Sequence, residues 1–434
     1  MAMVTVGEIY HDGMIIQRGK PVEIRGNTDQ AEHICITFLG QLIQFAADGS
    51  WSIAFPEIPF YGGPYIINIE GSRNRIIIKN IYVGEVWFAV GQSNMQFRLR
   101  EEAGYEELMK RHCRHNIHMF RPNPQKMPIY DYDGFGWIRD MKAMVGKMSA
   151  VAYYFACNLA VKLQCPVGII DCSMGSTSVA CWMSKEAVSK CEPAQRVQKD
   201  EDNDYLPSEL YQAMLEKVQC YKAAGVIYYQ GESDIAYRYE YSRMLEMLIK
   251  DWREKCRDSI PFIEVLLPRF AYHGEAKGTE WAEIRKEQIA VAKKLKNVYL
   301  VNTINEGELS EIHPKRKRGI GNKLAKAALE AIYYNITHFM APEVVSCEFL
   351  EDRAVLQFNN ASVLREQDSL GESVFEVAGK EKQYFIAEYE IVGTKIILSN
   401  SKVCDIKYVR AGYQNYCTIN VLNEYGVPLL PYMS

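Results

Sequence analysis

The chain reads as an α/β protein in which a mostly parallel sheet, covered by helices on both faces, lies between two all-β segments. Three observations predict this. From residue 83 to about 340, short apolar runs alternate with longer helical stretches, the pattern of repeated βαβ units. Before residue 83, short alternating runs are broken by Gly, Asn and Asp about every eight to twelve positions, as in a small sandwich. After residue 341, β character returns. A chain of 434 residues, 48% hydrophobic, has enough apolar surface for two or three cores. The expected divisions are an N-terminal β segment over 1–82, a catalytic α/β domain over 83–340 and a C-terminal β domain over 341–434.

The first segment supplies the runs VEIRG, HICITFLG, LIQFAA, WSIAF, YIINIEG and RIIIKNIYV. The middle segment supplies buried-strand runs EVWFAV, NIHMF, VGIIDCS, GVIYYQG, FIEVLLP and VYLVN. Between them stand helical stretches: SAVAYYFACNLAVKL, YQAMLEKVQCYKAA, YRYEYSRMLEMLIKDWREK, WAEIRKEQIAVAKKL and KRGIGNKLAKAALEAIYY. The last segment supplies VVSCEFLED, AVLQFNN, YFIAEYEIVG, KIILSN and CTINVLN.

Composition excludes several classes. Net charge is −4 with acids and bases interspersed, so nothing draws the chain to nucleic acid or an anionic membrane. The basic run Lys315-Arg316-Lys317-Arg318 reads as a solvated helix face. No segment approaches the roughly 20 apolar residues of a membrane span. The N-terminus, MAMVTVGEIYHDGM, lacks the basic and apolar regions of a signal peptide, so the chain as given is expected in the cytoplasm. A chain whose signal had been removed would read the same. The 12 cysteines are scattered without a CxxC pair, and several sit in apolar runs, which fits buried free thiols in a reducing compartment. The cluster His112, Cys113, His115, His118 has the residue types of a zinc site, but no second ligand cluster accompanies it, and no metal is expected.

Chemistry gathers where strands end. In open α/β sheets functional residues collect beyond the carboxyl ends of the strands. Four such ends carry polar loops: Gly91-Gln92-Ser93-Asn94-Met95, Asp171 to Thr177, Gln230-Gly231-Glu232-Ser233-Asp234, and Asn305 to Pro314 with His313. Together they hold a serine, glycine-borne amides, a carboxamide, and a histidine with nearby acids. Acyl transfer needs these groups. A serine needs a base to take its proton. The tetrahedral oxyanion needs donors aimed at its developing charge. A carboxylate normally orients the histidine. The acid lying next to the histidine in sequence, and Met95 where a G-x-S-x-G elbow would place its second Gly, disfavour an α/β-hydrolase.

The blocks VGEVWFAVGQSNM, GVIYYQGESD, WAEIRKEQ and IHPKRKRGIGNKLA resemble the sialate O-acetylesterases of the SGNH (GDSL-like) hydrolase superfamily, over nearly the whole chain. The resemblance implies an SGNH-type three-layer α/β/α catalytic domain with flanking β segments. It implies Ser93 as nucleophile and His313 as general base. The backbone N–H groups of Ser93 and Gly175, with the Gln230 side chain, would form the oxyanion hole. The block SAVAYYFACNLAVKLQCPVGIIDCSMGST resembles the family's too, but departs from its Ser-Trp-Gly-Gly-Thr-like loop, since Met174 stands for Trp and Ser176 for the second Gly. The superfamily's Asp-x-x-His is also absent, because Ser310 stands three residues before His313. Glu311 or Glu308 would then orient the histidine, or a backbone carbonyl would, with Glu311 favoured. Gln92, Asn94, Glu232 and Arg98 are candidate substrate contacts. Asn94 also reads as a brace for the nucleophile loop and Glu232 as a loop organiser. Arg98 and Arg100 read equally as ligands for a substrate carboxylate or as a solvated face.

The implied function is a serine carbohydrate esterase that removes O-acetyl groups from sugars, with O-acetylated sialic acid first and acetylated xylan or mannan as the alternative. It would use no metal or organic cofactor. A catalytically weakened glycan-binding protein is the reading from another class. The expected partner is an O-acetylated sugar or glycan, with no nucleic acid and no membrane; a homo-oligomer is compatible with the sequence.

Overall fold

A computed structural model describes residues 3–110, 115–124, 136–367 and 373–434. The chain divides into two compact units. One comprises Met1–Tyr228, Met247–Phe262 and Lys315–Gly321; the other comprises Tyr229–Glu246, Ile263–Pro314 and Asn322–Ser434.

In the first unit, Val22–Asn27 pairs antiparallel with Thr5–Val6 and Ser50–Phe55. Glu32–Phe38 pairs antiparallel with Gln41–Ala47 and Gly62–Glu70. Its burial alternates along the strand, with Ile34, Ile36 and Phe38 inside, as expected of a sheet with one wet face. The 17-residue strand Arg75–Gly91 then joins two kinds of sheet. Its first half alternates between exposed and buried and pairs antiparallel with Gly62–Glu70. From Val83 onward every residue is buried, and the partner is now parallel: Val167–Ser173, in register from Val167 opposite Glu85 to Ser173 opposite Gly91. The expected division after residue 82 falls inside this strand, where alternating sequence gives way to the continuous apolar run of a doubly covered strand. Ile117–Arg121 extends the parallel sheet, and Gly136–Arg139 closes that edge antiparallel.

The helix Ala150–Leu163 leads into Val167–Ser173, and Ser149 Oγ caps it by accepting from the Ala152 N–H at 3.2 Å. Phe155 packs edge-on against Trp87 at 5.1 Å. Gly225 opens the strand Gly225–Tyr229 where a Cβ would lie 2.4 Å from the Trp87 ring, so the residue must be glycine.

One expected helix differs. Over 211–224 the chain makes only a π-helical turn, Tyr211–Leu215, followed by turns. The Gln219 carbonyl, which a continuing helix would use internally, accepts instead from Trp252 Nε1 at 3.0 Å and Cys256 Sγ at 3.2 Å.

Phe262–Val265, in the second unit from Ile263 on, and Val298–Val301 are neighbouring strands joined through the helix Glu280–Lys294. Arg285 on that helix is fully buried. Its guanidinium donates to the carbonyls of Leu267, Pro268, Gln414 and Asn415 at 2.8–3.1 Å, and burial pulls its pKa down to about 10. Glu343–Leu350, Arg353–Asn359, Lys395–Ser399 and Glu388–Val392 form an antiparallel sheet. Phe375–Ala378, Tyr384–Ile386, Tyr408–Ala411 and Tyr432–Met433 form another. Leu356, Phe358, Phe375, Val377, Ile396, Leu398 and Val409 fill their common core. The expected strand CTINVLN shortens to Val421–Asn423.

Candidate active site

The parallel register explains how two of the polar loops meet. Ser173 pairs with Gly91 at the carboxyl ends of adjacent strands. Each chain then runs two residues further, one to Ser93 and the other to Gly175. The Met174 N–H donates to the Gly91 carbonyl at 3.1 Å and holds the loops side by side. A Cβ built on Gly175 would lie 3.4 Å from Ser93 Cβ, so the Gly175 backbone approaches the serine closely.

Gly91 has φ of +147°, which only glycine adopts without strain, and this bends the chain off the strand. Gln92 begins a single helical turn, Ser93–Gln96, with its carbonyl accepting from the Gln96 N–H at 2.8 Å. Ser93 is half-buried, while Gln92, Asn94 and Met95 are buried. Ser149 Oγ donates to the Met95 carbonyl at 2.7 Å and anchors the end of the turn.

The structure corrects the reading of the basic run. Lys315, Arg316 and Arg318 are exposed, but Lys317 is fully buried. Its ammonium donates to Asn94 Oδ1 and stands 4.8 Å from the centre of the Phe97 ring. A buried lysine needs such partners, and the turn that carries Ser93 provides them. Asn94 is thus a brace within the first unit.

Arg98 is not a solvated residue. It is buried, and its Nη1 lies 3.2 Å from Asp171 Oδ2, with Arg121 Nη1 at 3.6 Å from the same oxygen. The carboxylate its guanidinium meets is the chain's own. Burial raises the Asp171 carboxyl pKa, against the pull of Arg121 and of Ser173 Oγ, which donates to Asp171 Oδ1. Arg100 is exposed.

Gln96, which the sequence reading passed over, accepts the Gly175 N–H on its Oε1 at 2.7 Å. Its Nε2 lies 3.8 Å from Met174 Sδ. A carboxamide oxygen therefore occupies the candidate oxyanion donor. Ser176 has φ of +52°, in the left-handed region, which is the physical reason a glycine suits that position.

In the second unit, Gln230 is fully buried. Its Nε2 donates to Asp234 Oδ2 at 2.5 Å, and its Oε1 accepts from the Tyr241 hydroxyl at 3.0 Å. Its backbone carbonyl accepts from Tyr241 at 3.1 Å and from Gln288 Nε2 at 3.4 Å. Gly231, with φ of +145°, turns the chain immediately after. Glu232 is buried at the start of the next turn. Glu264 lies beneath, accepting from Gln288 Nε2 at 3.0 Å on Oε1, while its buried Oε2 has no hydrogen-bond partner among the described residues. Burial pushes its carboxyl up to about 8.

The histidine loop is pinned along its length. Asn305 exchanges hydrogen bonds with the Ile419 backbone at 2.8 and 3.0 Å. Gly307 packs where a Cβ would overlap the Arg269 carbonyl, and the Ala271 N–H donates to the Leu309 carbonyl at 3.0 Å. Glu311 Oε1 accepts the His313 backbone N–H at 2.9 Å and lies 4.0 Å from Nδ1. Glu308 is exposed and makes no hydrogen bond or ion pair among the described residues. Of the candidate acids, Glu311 is the one the loop holds against His313.

His112 and Cys113 lie outside the described residues. His118 Nδ1 contacts the Gly13 carbonyl, and its ring meets Tyr82 edge-on at 5.5 Å. No described helix is long and apolar enough to cross a membrane.

Residues 83–330 match the family model described as carbohydrate esterase, sialic acid-specific acetylesterase. The chain is thus a carboxylic ester hydrolase of the carbohydrate esterase class. It belongs to the sialic acid-specific acetylesterase family. It is 24% identical over 353 residues to the sialate O-acetylesterase of Homo sapiens, covering 73% of this chain and 67% of that protein. It is 24% identical over 363 residues to the Mus musculus protein of the same name, covering 68% and 66%. The crystal structure of a carbohydrate acetylesterase from Xanthomonas citri matches with a TM-score of 0.90 at 27% identity, over 100% of this chain and 99% of that one.

Proposed function

We propose that this esterase removes O-acetyl groups from sialic acids, with Ser93 as the nucleophile and His313 as the base. Ser93 Oγ attacks the acetyl carbonyl carbon while His313 takes its proton. The tetrahedral oxyanion is held by the N–H groups of Ser93 and Gly175 and by the Gln230 carboxamide. The substrate oxygen replaces Gln96 Oε1 on the Gly175 N–H. As the C–O bond to the sugar breaks, His313 returns the proton to the departing hydroxyl. Water then attacks the acetyl-serine through the same base and releases acetate. Glu311 orients His313, and the reaction requires no cofactor. The observation that carries this reading is the close approach of Gly175 to Ser93, which puts a backbone donor beside the serine.

One observation favours a second substrate, an acetylated neutral glycan such as xylan or mannan. Arg98 is committed to Asp171, so it does not offer its charge to a sialic acid carboxylate. The burial of Cys165, Cys172, Cys181 and Cys191 as small apolar side chains supports a reducing, cytoplasmic location. The test compares kcat/KM on an O-acetylated sialoside with that on acetylated xylan and mannan fragments, in wild type and Ser93→Ala. Preference for the sialoside, lost in the variant, is the expected result. Preference for the neutral glycans transfers the assignment to them, and undiminished turnover in Ser93→Ala removes Ser93 as nucleophile.

A further inference from the structure

Cys220 and Cys256 are 36 positions apart in sequence, yet their sulfurs lie 2.6 Å apart. That is well inside the contact distance of two unbonded sulfurs and approaches the roughly 2.05 Å of a covalent S–S bond. Cys220 sits in the turn after Tyr211–Leu215, and Cys256 is the last residue of the helix Tyr241–Cys256. Both are half-buried. The helix side chains tie the Cys220 turn down beside the sulfurs, because the Gln219 carbonyl accepts from both Trp252 Nε1 and Cys256 Sγ. The two sulfurs already face each other in the folded chain.

We propose that Cys220 and Cys256 are a redox-active dithiol that closes to an intramolecular disulfide by exchange with a low-mass disulfide such as oxidised glutathione. The surroundings set the direction of attack. Donation from Cys256, with Arg25 and Lys222 nearby, outweighs burial and the Glu23 carboxylate and pulls the Cys220 thiol down to about 7. The Cys256 thiol is pushed up by its hydrogen bond to Cys220 and by burial. A thiol that titrates near ambient pH attacks most efficiently. Cys220 thiolate attacks one sulfur of the low-mass disulfide, whose S–S bond breaks and releases one glutathione thiol. Cys256 then attacks the Cys220 sulfur of the mixed disulfide, forms the protein S–S bond and releases the second thiol. The protein pair loses two electrons, the low-mass disulfide gains them, and the two cysteine protons end on the two glutathione thiols. The bond closes a chain segment that includes Gln230, Glu232 and Tyr241.

The experiment uses the full chain, fully reduced and then equilibrated in glutathione buffers of increasing oxidised fraction. Remaining thiols are alkylated, and peptides are mapped by mass spectrometry without reduction. The expected result is the loss of two alkylatable thiols and one linked peptide pair holding Cys220 and Cys256, reversed by dithiothreitol. Cys256→Ser should stop at a glutathione adduct on Cys220. Both cysteines remaining alkylated in the most oxidising buffer, or linkage to other cysteines, would overturn the proposal. The wild-type map alone decides this, whether or not the variant folds.

Discussion

Two turns of this molecule use the same device for different ends. Gly91 and Gly231, with φ of +147° and +145°, each bend the chain beside a glutamine at the end of a strand. After Gly91 comes a half-buried serine on a single helical turn. Before Gly231 comes a fully buried carboxamide, held by Asp234 and Tyr241. The first turn leaves its functional group open to a reacting molecule. The second fixes its group at the cost of exposure. Under the proposed mechanism the serine must be reached, whereas a donor to developing charge works best when its orientation is settled beforehand.

The strongest way to break the comparison is Ser93→Ala. Esterase turnover on p-nitrophenyl acetate should fall by about 10⁴-fold or more, with the melting temperature nearly unchanged, because little packing is lost. Comparable turnover would show that the open turn is not the reacting one.

Glu264 tests the clamp beneath the second turn. Unfolded, its carboxyl titrates near 4.5; folded, at about 8. Between those values the folded chain holds a proton that the unfolded chain has released, so stability is full below pH 4.5 and falls as pH rises through about 8. The loss is on the order of 3–5 kcal/mol. Glu264→Gln, which stays neutral, should flatten that decline in a series of thermal melts. An unaltered pH dependence would place the titration elsewhere.

A smaller effect should separate the glycines themselves. Gly231→Ala forces a Cβ into the strained region and to 3.1 Å from both Ile284 and Leu267, and should destabilise by about 1–3 kcal/mol. Gly91→Ala strains the serine's own turn, and its main effect should be a fall in kcat of about 10²-fold. Urea melts and turnover measured on both proteins would sharpen the contrast, and identical profiles would erase it. Smallest of all, Ser176→Gly relieves a left-handed residue and should stabilise by about 0.5–1 kcal/mol, seen as a slightly higher urea midpoint.

Local signals along the chain set the succession of strands and most helices, the β character of both flanks, and the position of the polar loops at the strand ends. These follow from short-range causes: apolar period, turn glycines and helix caps act over a few residues. The same local signals placed Ser93 and Gly175 on strand-end loops. Only the tertiary structure decided which polar groups are partners. Lys317 looks like one cation of a solvated run, yet it is buried against Asn94. Arg98 looks free to bind a carboxylate, yet Asp171 holds it. Gln96 carries no sequence signal, but the register of Ser173 opposite Gly91 brings Gly175 to its side chain. The sequence favours Glu311 over Glu308 only slightly, and the fold of the loop sets Glu311 against His313. The reason is physical. A polar side chain's partner depends on which distant segment excludes water around it, and that is a property of packing between strands, not of the residues beside it in the chain.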